Sequence, residues 1–260
     1  MNKKFISALF VSVFLLNLFN FTTFSTESNT EYEWYCERNG QKQPKSNKYE
    51  SLIARYDGYY IDRRVNDADD KKILYLTFDC GYENGNVEKI LDAMKKEDVK
   101  GAFFLLDNII VKNPDLVTRM SNEGHTVCNH TKNHKNISNY TIEETEKNLS
   151  SIELLYNEIT GENMAKYFRF PEGRFSENAL KNVQSLGYKT IFWSFAYEDW
   201  DNSRQLSAAM AKKKILNNTH NGAVMLFHPT SRVNAEIFPQ LIKEWKKMGY
   251  EFGTLNELCG

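Results

Sequence analysis

The sequence predicts an α/β protein with a parallel sheet of seven strands, open or closed into a barrel, preceded by a leader and an arm. Three observations point there. Strand and helix signals alternate from residue 71 to the C-terminus. The length of 260 residues and the 41% hydrophobic content suit one α/β domain with extras and exclude a disordered chain. Polar and titratable residues gather just after the strands, where parallel barrels carry their chemistry.

The elements follow in order. Lys3 and Lys4 precede an apolar run over residues 5–16, extended by Leu18, Phe19 and Phe21. A basic start and a short apolar core predict a secretory signal over residues 1–25. Asn17 and Asn20 interrupt the run before the roughly 20 residues of a spanning helix accumulate. The small-x-small cue at Thr23-Phe24-Ser25 is faint, so an uncleaved anchor is the alternative and the only membrane contact foreseen. Residues 26–69 are polar, with scattered aromatics including Trp34, Tyr59 and Tyr60. Too short for a core of its own, this stretch reads as an N-terminal arm packed on the main domain, residues 70–260.

Strands are predicted at residues 72–78, 102–106, 125–128, 166–170, 188–195, 223–227 and 250–255. Between them, Val87, Ile90, Leu91 and Met94 recur at helical spacing. Pro114 opens a helix that Gly124 closes. Thr141-Ile142-Glu143-Glu144 is a capping box for a long helix ended by Gly161. Ser176 caps a helix that ends before Gly187, and two more helices cover residues 206–216 and 233–248.

Composition removes several function classes. The net charge is −1, and losing Lys3 and Lys4 with the leader takes it to −3, which argues against nucleic acid as a partner. No glycine-rich phosphate loop follows the first strand, so a nucleotide has no support. Four cysteines (Cys36, Cys80, Cys128, Cys259) are too few for a disulfide scaffold. Export points to substrates of the cell envelope or beyond it.

The strand ends carry Asp79-Cys80-Gly81, His130 and His134, Arg169, Asp199-Trp200 and His228. On one helical turn, His130 and His134 at i and i+4 would share a face and could pinch a cation; the competing reading is a hydrogen-bonded loop pair. Arg169, if buried, needs an anion, for which Asp79 is the obvious choice. His228 ends an apolar strand, where a structural hydrogen bond is the plainer reading. His125 and His220 flank turns and read as surface residues.

Together these segments resemble the polysaccharide deacetylase (NodB-homology) family, the family-four carbohydrate esterases. Thr77-Phe78-Asp79-Cys80-Gly81 resembles its T-F-D-D-G motif, and His130-Thr131-Lys132-Asn133-His134, Arg169-Phe170-Pro171-Glu172-Gly173, Asp199-Trp200 and Leu226-Phe227-His228 match the others in order. The resemblance covers roughly residues 70–258. It implies a distorted (β/α) barrel of about seven strands and metal-dependent removal of acetyl groups from a glycan. It also implies roles. His130 and His134 would hold a divalent metal, most simply Zn²⁺, and Asp79 would be the general base. His228 would be the acid supported by Asp199, and Arg169 would orient Asp79. A backbone N–H of Pro171-Glu172-Gly173 would bind the oxyanion, and Leu226 with Trp193 or Trp200 would line the acetyl pocket. A narrower resemblance, through Thr77–Gly85, residues 168–177 and the aromatic arm, is to the delta-lactam-forming muramic acid de-N-acetylases of spore-forming bacteria. It implies a peptidoglycan glycan strand as partner. N-acetylglucosamine or another acetylated glycan is the alternative substrate, and a metal-free glycan-binding protein the alternative class.

Cys80 stands where the family usually has a metal-binding aspartate. It could ligate as a thiolate, stand aside from the metal, pair with Cys128, or act as a nucleophile; the second is favoured and the last ranks lowest.

Overall fold

The computed structural model describes residues 28–260, so the leader expected at residues 1–25 lies outside the described residues. Among the described residues, no helix is long and apolar enough to cross a membrane.

The elements are β1 (Tyr32–Glu33), α1 (Glu50–Arg55), β2 (Gly58–Tyr59), β3 (Lys72–Cys80), α2 (Val87–Lys96), β4 (Ala102–Leu105), α3 (Asp107–Lys112), α4 (Pro114–Asn122), β5 (Thr126–Asn129), α5 (Ile142–Thr160), β6 (Tyr167–Phe168), β7 (Arg174–Phe175), α6 (Glu177–Ser185), β8 (Lys189–Ile191), α7 (Ala208–Leu216), β9 (Ala223–Phe227), α8 (Arg232–Lys247), β10 (Tyr250–Phe252) and α9 (Leu255–Cys259). The seven predicted strands correspond to β3, β4, β5, β6, β8, β9 and β10, all paired in parallel. The arm adds β2 in parallel beside β8 and pairs β1 antiparallel with β7.

The long strand β3 organises the barrel. One edge takes β9 from Leu74 to Phe78; the other takes β10 at its start and β4 at its end. Side chains alternate along it. Leu74, Leu76, Phe78 and Cys80 pack into the core shared with α2 and α8. Tyr75 faces the barrel interior with Phe104, Cys128, Ile191 and Val224, and Thr77 and Asp79 continue that inner row.

The ring is distorted where the strand predicted at residues 188–195 ends early. Only Lys189–Ile191 keeps ladder geometry. Beyond it, the carbonyls of Ile191 and Phe192 accept hydrogen bonds from the Arg169 guanidinium instead of a neighbouring strand. The ring closes through irregular backbone: Ser194 N–H donates to Val224 O, and Leu226 N–H to Phe195 O. Three short helices, α1, α3 and α9, carry too few apolar repeats to be seen in the sequence.

Helix ends behave as their residues dictate. The Thr141–Glu144 capping box forms both hydrogen bonds, and Gly161 closes α5 at φ 73°, a left-handed value that glycine tolerates. Ser176 Oγ accepts from Ala179 N–H at the start of α6.

Candidate active site

The site is assembled at the C-terminal ends of β3, β5, β6 and β9. Arg169, just after β6, is fully buried and its fork is almost fully used. Nη1 donates to Asp79 Oδ1 at 2.8 Å, Nη2 to Thr77 Oγ1 at 2.9 Å, and Nε to Ile191 O at 2.9 Å. The guanidinium lies 4.2 Å over the Phe104 ring. A buried cation with this many acceptors and a paired carboxylate is satisfied in place, which fixes Asp79 in one orientation. Burial alone would push the Asp79 carboxyl up; the His130 imidazole once acid protonates it, the charges of Arg169 and His228, and the Arg169 hydrogen bond hold it below the usual carboxylate range. Thr77 was not foreseen in this group; its place two residues before Asp79, on the same strand face, is the signal that could have found it.

His130, just past β5, is buried, and its Nδ1–H donates to Arg169 O at 2.9 Å. That bond leaves the lone pair on Nε2, which is buried without a hydrogen-bond partner and lies 3.4 Å from Asp79 Oδ2. Burial drives the imidazole pKa down to about 4, so it is neutral at ordinary pH. A neutral imidazole with its proton fixed on a backbone carbonyl and its other nitrogen orphaned is the form a metal-binding histidine takes. The His134 ring stands 4.9 Å from it, centroid to centroid. The helical turn expected between them is absent. Residues 130–134 form a loop in which Thr131 (φ 74°) and His134 (φ 57°) are left-handed, and His134 N–H donates to Thr131 Oγ1. Loop geometry, not helical periodicity, brings the rings together.

Cys80 is not brought to these histidines. Strand alternation turns its thiol to the apolar layer between sheet and helices, opposite Asp79, and burial pushes its pKa far up. A neutral, fully buried thiol is neither a ready ligand nor a ready nucleophile. Cys128 lies on the inner face instead, and both cysteines are free, so the pairing considered between them does not form. Among the described residues, no group of three or more His, Cys, Asp or Glu side chains is arranged to hold a metal. The donor whose chemistry fits one is the buried, unpartnered His130 Nε2, with the His134 ring beside it.

His228 ends β9. Its Nδ1–H donates to Asp199 Oδ1 at 2.7 Å, and its backbone N–H to Asp199 Oδ2 at 2.8 Å. Burial pushes its pKa down, but the Asp199 charge and hydrogen bond outweigh that and raise it above the ordinary histidine value. Asp199 is itself buried. His125 and His220 correct the surface reading: both are buried and neutral, with pKa values pushed by burial to about 4.

A cavity of about 480 Å³ opens over these groups. Asp79, His134 and His228 face it, with Leu226, Trp193 and Trp200 as the apolar wall, so both tryptophans contribute; Tyr197 and Ala196 were not foreseen there. Glu172 lies at its edge in a left-handed conformation, φ 57°. In the Pro171–Gly173 turn, proline has no N–H and Gly173 N–H donates to Phe170 O. The arm holds this turn: Trp34 N–H donates to Gly173 O at 2.8 Å, and Trp34 Nε1–H to Trp193 O at 2.9 Å.

Known proteins match this chain in sequence and fold. Residues 66–191 match the family profile described as polysaccharide deacetylase. The chain is 37% identical to the peptidoglycan-N-acetylmuramic acid deacetylase PdaA of Bacillus subtilis over 88% of its own length and 86% of that protein. The chain belongs to the polysaccharide deacetylase family. A solved structure of Bacillus subtilis PdaA, described as a family 4 carbohydrate esterase, superposes with a TM-score of 0.83, covering 89% of this chain and 97% of that one. A peptidoglycan-N-acetylglucosamine deacetylase of Bacillus cereus is 32% identical over 79% of this chain and 73% of its own. As a member of the polysaccharide deacetylase family the protein is a hydrolase of acetyl amides, and the family is generally metal-dependent.

Proposed function

We propose that the protein is an exported de-N-acetylase of peptidoglycan that acts on N-acetylmuramic acid. The observation that carries the chemistry is the pairing of a base and an acid on one cavity: Asp79 held ionised by Arg169, and His228 held protonated by Asp199. An acetamide entering between them meets both proton-transfer groups its hydrolysis needs. Asp79 takes the proton of the attacking water. Glu172 N–H donates to the carbonyl oxygen as charge develops on it. His228 delivers a proton to the departing nitrogen, without which an amide does not cleave. Leu226, Trp193 and Trp200 seat the methyl group.

His130 Nε2 and His134 would hold a divalent cation, with Zn²⁺ well suited to imidazole donors. When bound, it supplies positive charge that lowers the pKa of water and polarises the carbonyl. Cys80 stands outside this set.

The choice of muramic acid rests on the likeness to PdaA along nearly the whole chain, including the arm. Deacetylation there leaves an amine beside the lactyl group of the same sugar, the precursor of a muramic delta-lactam, which fits a role in spore cortex. The apolar leader fits export to the envelope. The test is mass spectrometry of peptidoglycan digested after exposure to the purified protein. Loss of acetyl from muramic acid supports the reading; loss from glucosamine alone replaces it with the N-acetylglucosamine alternative.

A further inference from the structure

Asp199 is a buried carboxylate with a demanding task. It must stay in the plane of the His228 imidazole and present one oxygen to Nδ1. Oδ1 does this at 2.7 Å. The other oxygen, Oδ2, takes the His228 backbone N–H and a second donor from outside the pair: the side-chain amide of Asn234, on the first turn of α8. Asn234 is fully buried, lies behind the cavity lining rather than in it, and has no place in the motifs read from the sequence. Its own orientation is set on both sides. Tyr197 O–H donates to Asn234 Oδ1, so Nδ2 is the end turned to Asp199, and that same Nδ2 also reaches His228 O at 3.3 Å. Asn234 N–H is taken by Ser231 Oγ, which also accepts from Gln205, and Gln205 donates in turn to Asp199 O. Each link has a donor and an acceptor, so this buried polar network is satisfied and rigid.

We propose that Asn234, oriented by Tyr197, is a positioning residue that sets the proton-donating power of His228 through Asp199. With Oδ2 clamped by two N–H groups, the carboxylate cannot rotate away from Nδ1. Without the amide, one restraint on Oδ2 is lost and the carboxylate turns. The imidazole then drifts toward the lower basicity that its burial imposes. The other charges facing His228 are Asp79 and Arg169, which Asn234 does not touch, and the Trp200 ring lies 6.0 Å away. The inference rests on the proposed acid role of His228 for its kinetic arm only.

The experiment compares Asn234→Leu, Asn234→Asp and Tyr197→Phe with the wild-type chain. NMR of isotope-labelled histidine gives the protonation midpoint of His228 whether or not the substrate reading holds. That midpoint is expected to fall in Asn234→Leu, and less in Tyr197→Phe. In Asn234→Asp, a carboxyl kept protonated by the neighbouring Asp199 charge can still donate to Asp199 while accepting from Tyr197, so this variant should restore the midpoint toward wild type. In kinetics, Asn234→Leu should lower kcat on an N-acetylated glycan by about tenfold or more, with KM little changed. Hydrolysis of an aryl acetate, whose leaving group needs no proton, should fall less. An unchanged His228 midpoint in folded Asn234→Leu and Tyr197→Phe would overturn the proposal, as would equal losses on amide and ester. If no glycan is deacetylated even by the wild type, the function reading fails while the NMR arm still decides this inference. Should Asn234→Leu fail to fold, Tyr197→Phe decides it, since that change removes one hydroxyl and leaves the ring.

Discussion

Asp199 accepts two hydrogen bonds from the single residue His228, one from the imidazole at 2.7 Å and one from the backbone N–H at 2.8 Å. Side chain and main chain of the acid are thus fixed to the same carboxylate. The consequence for pH is a matter of sign. The His228 pKa is raised, so the protonated form persists above the ordinary histidine range. Amide hydrolysis should therefore hold on the alkaline side and decline only as pH passes the raised value. Asp199→Asn removes the charge that raises it, and its alkaline limb should move to lower pH with kcat down by about 10²-fold. A pH profile of kcat/KM on an N-acetylated oligosaccharide reads both. The same pKa shift bears on stability: the Asp199–His228 contribution is complete below the unfolded histidine pKa and is lost as pH rises through the folded value.

Asp79 and His130 separate base from metal ligand. Asp79→Asn keeps the side-chain shape but removes the proton acceptor, so turnover should drop by about 10²-fold or more while bound metal stays near wild-type stoichiometry. His130→Ala removes the orphaned Nε2, and both metal and activity should go. Metal analysis of the purified variants by inductively coupled plasma mass spectrometry tells the two apart; metal retained in His130→Ala would show that the ligand set is drawn wrongly.

Much of this was legible because the fold puts chemistry where strands end. The parallel strands could be read from β-rich runs such as residues 72–78 and 223–227, and their polar endings named Asp79, His130, Arg169 and His228 directly. What stayed hidden has physical causes. The early end of β8 depends on Arg169 capturing the Ile191 and Phe192 carbonyls, a contact between residues 22 and 23 positions apart that no local propensity encodes. The His130–His134 approach depends on two left-handed residues that the sequence does not announce, because neither is glycine or asparagine. His125 and His220 looked like turn residues, yet each is held inside by a specific bond: Gly101 N–H to His125 Nδ1, and the Ser194 O–H to His220 Nε2. Asn234 had a local cue, its place three residues after the helix-capping Ser231, but nothing in that spacing indicates a carboxylate partner 35 positions away.

Cys80 provides a test of strand alternation. If its thiol belongs to the apolar layer, Cys80→Ser should leave metal content and turnover near wild type. It should instead cost stability, because a hydroxyl buried in this apolar layer meets only the Tyr82 carbonyl, 3.9 Å from Sγ, too far for a good O–H···O bond; about 1–3 kcal/mol is the usual scale. Urea denaturation and metal analysis on the same preparation give both numbers. Loss of metal with stability intact would return Cys80 to the ligand set.

Acid should weaken the fold through the histidines outside the site. His125 Nδ1 accepts the Gly101 N–H, so protonating it sets two N–H groups against each other. His220 accepts from Ser194 O–H through Nε2 and donates from Nδ1 to Asn218 O, an arrangement complete only when the ring is neutral. Both folded pKa values lie near 4, against about 6.5 for a free histidine. The unfolded chain therefore binds more protons between those values. Stability from this source is present above about pH 6.5 and is lost as pH falls toward 4. Thermal unfolding followed from pH 7.5 to 4 should show Tm falling through this window. His125→Phe, which keeps a ring against Phe103 but cannot be protonated, should flatten the slope even if its Tm at neutral pH is lower. A wild-type slope in that variant would mean that other groups, not this buried imidazole, take up the protons.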